Sequence, residues 1–89
     1  KDVSLETEMF IGQLYLEELQ DYQAAIIHFK DLHDKYPYIS DFLYSLVQAY
    51  AKSEQKEDAI LVLESWLFSH PNDSQAIEWL TILDPNRIQ

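Results

Sequence analysis

Apolar residues recur at three- and four-residue steps along most of the chain. Leu43, Leu46, Val47 and Tyr50 stand at i, i+3, i+4 and i+7. Ala59, Leu63, Trp66 and Leu67 follow the same face, and Ile77, Leu80 and Leu83 continue it. That period belongs to amphipathic α-helices, and no stretch alternates for long enough to suggest a strand. The pattern predicts five helices. The first spans roughly Leu5 to Leu19, with Ser4 as cap and Glu6 and Glu8 at the positive end of its dipole. The second spans roughly Tyr22 to Lys35, with Asp21 as cap and Pro37 as stop. The third follows Ser40, carries Asp41 in its first turn and reaches about Lys52. The fourth runs from about Lys56 to Ser69 before Pro71, and the fifth from Asp73 or Ser74 to just before Pro85. Connections this short make successive helices antiparallel.

The pattern also repeats. Ala25 through Pro37 aligns without a gap to Ala59 through Pro71, an offset of 34 residues. Ala25 maps to Ala59, Ile26 to Ile60, Phe29 to Leu63 and Leu32 to Trp66. A fixed period of that size marks stacked helical hairpins. Gly12 lies inside the first helix, where it costs about 1 kcal/mol against alanine. Close approach of the second helix at Ala24 or Ala25 is the expected compensation. The corresponding pair in the next repeat is Val47 and Ala59.

Composition narrows the class. Eighty-nine residues make one small domain, which buries only ~60–65% of the surface its unfolded chain exposes. The chain is 47% hydrophobic with six Tyr, four Phe and two Trp, too apolar for disorder. Its single Gly and three Pro argue against a turn-rich β protein. The formal net charge of −10 repels phosphate backbones and anionic membrane surfaces, so nucleic acid is not expected as a partner. A basic or apolar protein partner is the easier one to accommodate. The same charge also keeps an apolar-rich chain in solution. There is no Cys, which removes disulfides and thiolate metal sites. No apolar run approaches the ~20 residues of a membrane span, so direct insertion is not expected. The chain begins at Lys1 rather than Met, as a processed form or an excised piece of a longer protein would. Compartment is therefore open, with cytoplasm and bacterial cell envelope both fitting.

These residues resemble the tetratricopeptide repeat. The second repeat matches its pattern through Leu43, Leu46, Val47, Tyr50, Ala59, Leu63, Trp66 and Pro71. The first matches through Ile11, Gly12, Tyr15, Ala25, Phe29, Leu32 and Pro37, provided one residue is inserted between its two helices. The usual Gly-Asp of the hairpin turn is replaced by Leu19-Gln20-Asp21 and by Glu54-Gln55. The resemblance implies an all-α right-handed superhelix. Repeat 1 would cover about residues 5–38, repeat 2 about 39–72, and a capping helix about 73–84. It also implies a non-catalytic protein–protein interaction module.

In such arrays the first helix of each hairpin lines a concave face. Carried onto this chain, that face holds Glu6, Met9, Gln13 and Leu16, then Asp41, Tyr44, Gln48 and Ala51, then Gln75, Glu78 and Ile82. Tyr44, Gln48 and Lys52 form an i, i+4, i+8 stripe beside the buried one. Apolar side chains interleaved with amides suit an extended or helical peptide. With Lys52 as its one base, the groove does not match a carboxylate clamp. Its acids, Glu6, Asp41 and Glu78, favour a ligand bearing Lys or Arg. Phe68 and Trp79 are large apolar residues where the neighbouring repeat has Asp34 and Ser45. They suggest self-association or the covering of a solenoid end, since roughly three repeats are needed for stability. Nothing points to a cofactor, metal or catalytic site. His28 and His33 are five apart on one helix, and no phosphate loop or nucleophile–base pattern occurs.

Overall fold

The computed structural model describes residues 4–86, and among these there are five helices and no strand. Helix α1 (Leu5–Gln13) continues directly into a π turn (Leu14–Glu18). It is followed by α2 (Tyr22–Lys35), α3 (Ser40–Lys52), α4 (Lys56–Ser69) and α5 (Ser74–Leu83). Each helix packs against its neighbours in the chain, giving an elongated stack of 45 × 25 × 15 Å. Local chemistry sets the ends. Ser4, Asp21 and Asp73 accept backbone N–H groups at the starts of α1, α2 and α5. Tyr36, His70 and Asp84 each precede a proline and leave the helical region, with φ between −128° and −134°.

Helix α3 has two buried faces. Leu43 and Val47 pack with Ala59, Leu63 and Trp66 of α4 and Ala76 and Leu80 of α5. Phe42, Leu46 and Ala49 pack with Leu16 of the π turn and Ala25, Phe29 and Leu32 of α2. Full burial of each large side chain contributes roughly 1.5–3 kcal/mol. The predicted stripe on α3 missed Phe42 and Ala49, because a central helix of a stack is covered on both sides.

The extra residue of the first repeat is inside the helix, not in the loop. Leu19 N–H donates to Leu14 O at 2.9 Å, an i→i−5 bond that makes a π turn. Asp21 N–H then reaches Tyr15 O at 2.8 Å, whereas in the second hairpin Gln55 N–H reaches Tyr50 O at 2.8 Å. The first closure thus spans one residue more. The wider turn shifts the register of the side chains within it, so Leu16 is buried at 1% exposure. Leu16 was expected on the concave face; it belongs instead to the core, nine residues before Ala25 as Tyr50 is before Ala59.

The partner of Gly12 also differs from expectation. A Cβ added there would overlap the Phe29 ring, whose Cε2 would lie 2.8 Å away, so Phe29 rather than Ala24 or Ala25 is the close neighbour. The two repeats divide the same space differently: Gly12 with Phe29 in one, Val47 with Leu63 in the other.

Both hairpin turns hold a non-glycine residue in the left-handed region, Gln20 at φ 51° and Glu54 at φ 63°. An L-residue costs roughly 1–2 kcal/mol there, partly offset by the entropy a glycine would lose on folding. Replacing Glu54 by Gly is therefore expected to raise stability by about 0.5–1 kcal/mol. A urea midpoint that stays put or falls would contradict this.

Candidate partner-binding site

The N-terminal turns of α1 and α3 border a half-open cavity of about 340 Å³. Leu5, Met9, Ile39 and Phe42 line it, with Glu6 and Asp41 completing the wall. Both acids are in first turns, where the helix dipole favours their charge. They are exposed and have no ion-pair partner among the described residues. Met9 is held by its thioether, which lies 3.5 Å from Ser45 Oγ of α3 and 3.7 Å from Gln13 Nε2. Ser45 is the buried polar residue of the described core, and this contact links α1 to α3 directly.

One repeat further on, Tyr44 takes the place corresponding to Met9. Its hydroxyl donates to Asp73 Oδ2 at 2.7 Å, and Trp66 Nε1–H donates to the same oxygen at 2.8 Å. Asp73 Oδ1 accepts from the N–H groups of Gln75 and Ala76 at 3.1 and 3.2 Å, capping α5. One carboxylate therefore joins α3, α4 and α5. Burial pushes its pKa up, but the bonds from Tyr44, Trp66, Ala76 and Gln75 together outweigh burial and hold it below the usual value. The Tyr44 hydroxyl is pushed well above its usual value by burial first, then by its bond to Asp73 and the charge of that carboxylate. The ring is thereby fixed as a wall, with its proton donor already engaged. Gln48, one turn along, is half-buried as a residue, and its amide is open to solvent with no hydrogen-bond partner among the described residues.

Other predicted positions are elsewhere. Lys52 is at the hairpin-turn end, in a depression with Gln20, Asp21, Glu54 and Gln55. Glu78 and Ile82 are exposed on α5. Phe68 is 91% exposed on α4, whereas Trp79 packs onto the core cluster of α3, α4 and α5. The sequence reading missed Leu5, Ile39 and Phe42 as parts of the cavity. The signal was Ile39 at a helix cap, 34 residues before the capping Asp73. A large apolar residue with no capping bond suggests a packing role.

On α2 and α4, His33 and Ser69 flank a smaller depression that includes Trp66 and His70. His70 stacks on Trp66 with centroids 3.8 Å apart. His33 Nδ1 is buried without a hydrogen-bond partner. Burial lowers the His33 pKa, Asp34 opposes that shift and Lys30 adds to it. No group of three His, Cys, Asp or Glu among the described residues could hold a metal ion. Among them, no helix is long and apolar enough to cross a membrane.

The sequence model of the tetratricopeptide repeat matches residues 16–78, more than half of the chain. The chain belongs to the tetratricopeptide repeat family. No curated protein and no solved structure matches it closely enough to add a relative. The match to the repeat begins at Leu16, inside the π turn, where the spacing between the two hairpins comes back into step. Tetratricopeptide repeats are generally protein–protein interaction modules and typically non-catalytic.

Proposed function

We propose that this tetratricopeptide domain captures a segment of a partner protein along the face formed by α1, α3 and α5. Met9, Gln13, Tyr44 and Gln48 are the central contacts, and the mode involves no catalytic step. The observation that carries the reading is the placement of Gln48, whose amide is open to solvent and without a hydrogen-bond partner among the described residues, beside the immobilised ring of Tyr44. Amides in that situation pair with the backbone of an incoming chain, and the adjacent apolar side chains contribute affinity. Glu6, Asp41 and Glu78 and the net charge of −10 favour a partner that is basic or apolar. Self-association through Phe68 and Trp79 is less well supported, because Trp79 is engaged by the chain's own core.

Selection of displayed random peptides on the immobilised domain tests the reading. Peptides that bind are expected to lose on the order of tenfold in affinity for a Gln13→Ala/Gln48→Ala variant, since each backbone pairing contributes about 1 kcal/mol. Helicity should not change. Undiminished binding to a folded variant would overturn this assignment.

A further inference from the structure

The two junctions between hairpins are built on one plan but finished differently. At the second, Tyr44, Asp73 and Trp66 are joined by hydrogen bonds. At the first, the corresponding residues are Met9, Ile39 and Leu32, which offer no such bonds. The groups there are apolar, and a half-open cavity lies between α1 and α3, with Leu5 and Phe42 beside Met9 and Ile39 in its lining. The recess is half open to solvent and its lining is mostly apolar, so an apolar side chain that displaces its water gains by the surface it buries. Its natural occupant is an apolar side chain. The polar groups beside it are both carboxylates, Glu6 and Asp41, and neither is neutralised within the described chain.

From this we infer that the cavity is an anchor pocket for one apolar side chain of the partner segment, and that the pair of carboxylates beside it selects a Lys or Arg next to that anchor. The inference rests on the concave-face reading and specifies its ligand: a protein segment with an aliphatic or aromatic residue adjacent to a base. Apolar burial supplies the affinity. The exposed acids discriminate against acidic segments and speed encounter, an effect that salt weakens.

Met9 is the single methionine of the chain, so its methyl group is a unique reporter of the cavity. The domain carrying ¹³C-methyl methionine is titrated with the peptides enriched by display. Their sequences, their salt dependence and their binding to a Glu6→Lys/Asp41→Lys variant are compared. Both acids are exposed, so the variant should keep its fold. The expected result is an apolar residue flanked by Lys or Arg and a shift of the Met9 methyl signal on binding. Charge reversal should lower affinity on the order of tenfold, as should raising salt. An Ile39→Phe variant, filling the recess from within, should block the methyl shift and weaken binding without loss of helicity.

Peptides sensitive to Gln13→Ala/Gln48→Ala but lacking a base, indifferent to charge reversal or silent at Met9 would overturn the anchor pocket and leave the concave-face reading standing. Peptides indifferent to both pairs of substitutions, or no enrichment at all, would overturn both.

Discussion

Gly12→Ala is expected to lower stability by about 2 kcal/mol, although alanine is the better helix former by about 1 kcal/mol. The added Cβ has no free space. It would overlap the Phe29 ring, and Phe29 is itself fully buried with no exposed surface to move into. Overpacking a tight core costs about 1–3 kcal/mol, and contact with several ring atoms puts this site at the upper end or beyond. The second hairpin shows the remedy, since Val47 coexists there with Leu63. Phe29→Leu alone should be destabilising by about 1–2 kcal/mol through the space it leaves. The double variant Gly12→Ala/Phe29→Leu should recover about 1 kcal/mol or more relative to the sum of the singles. Urea unfolding followed by circular dichroism measures all three. A neutral or stabilising Gly12→Ala would show that the helices can separate there at little cost.

Asp73→Ala should be at least as damaging, by about 3 kcal/mol. The loss has two parts: about 1 kcal/mol for the α5 cap and about 1 kcal/mol each for the Tyr44 hydroxyl and the Trp66 N–H left without an acceptor. A domain of this length has a total stability of roughly 5–13 kcal/mol, so the variant should be visibly frayed at α5. Tyr44→Phe removes a single bond and should cost about 1 kcal/mol. The same carboxylate makes stability depend on pH. Its pKa is lower in the folded chain than in the unfolded one, so the unfolded chain takes up the proton first as pH falls. The stabilisation is complete above the ordinary carboxylate range and is lost progressively as pH drops through that range and below it. The wild-type chain should therefore lose more stability over that interval than Asp73→Asn, which keeps a capping oxygen but does not titrate. Parallel pH profiles for the two would remove Asp73 from that role.

The candidate site was partly legible along the chain. The helical register placed Glu6, Met9 and Asp41 on one face, and they do meet around one cavity. The same register placed Tyr44 and Gln48 together, but it treated both as free to bind. Tyr44 is only half so, because its hydroxyl is committed to a residue 29 positions away. Such a pairing has no local signature. Nor did any local pattern connect Leu5 with Ile39 and Phe42, which come from different helices and meet through packing alone.

The helices, their ends and their pairing into two repeats are written into the order of the residues. Apolar spacing, capping side chains and the restriction before Pro37, Pro71 and Pro85 act within a few residues, so they can be read along the chain. The one-residue excess of the first repeat was equally visible, as Ala25 comes ten positions after Tyr15 and Ala59 nine positions after Tyr50. Where that excess goes was settled by packing in three dimensions. A loop and a helix can each absorb it with the same residue count, and the π turn prevails because it turns Leu16 into the core. Packing likewise settled that a ring rather than a methyl group lies against Gly12, and that one hairpin junction is closed by Asp73 while the other stays open. Those outcomes depend on which surfaces compete for the same volume, and that competition exists only once the helices have met.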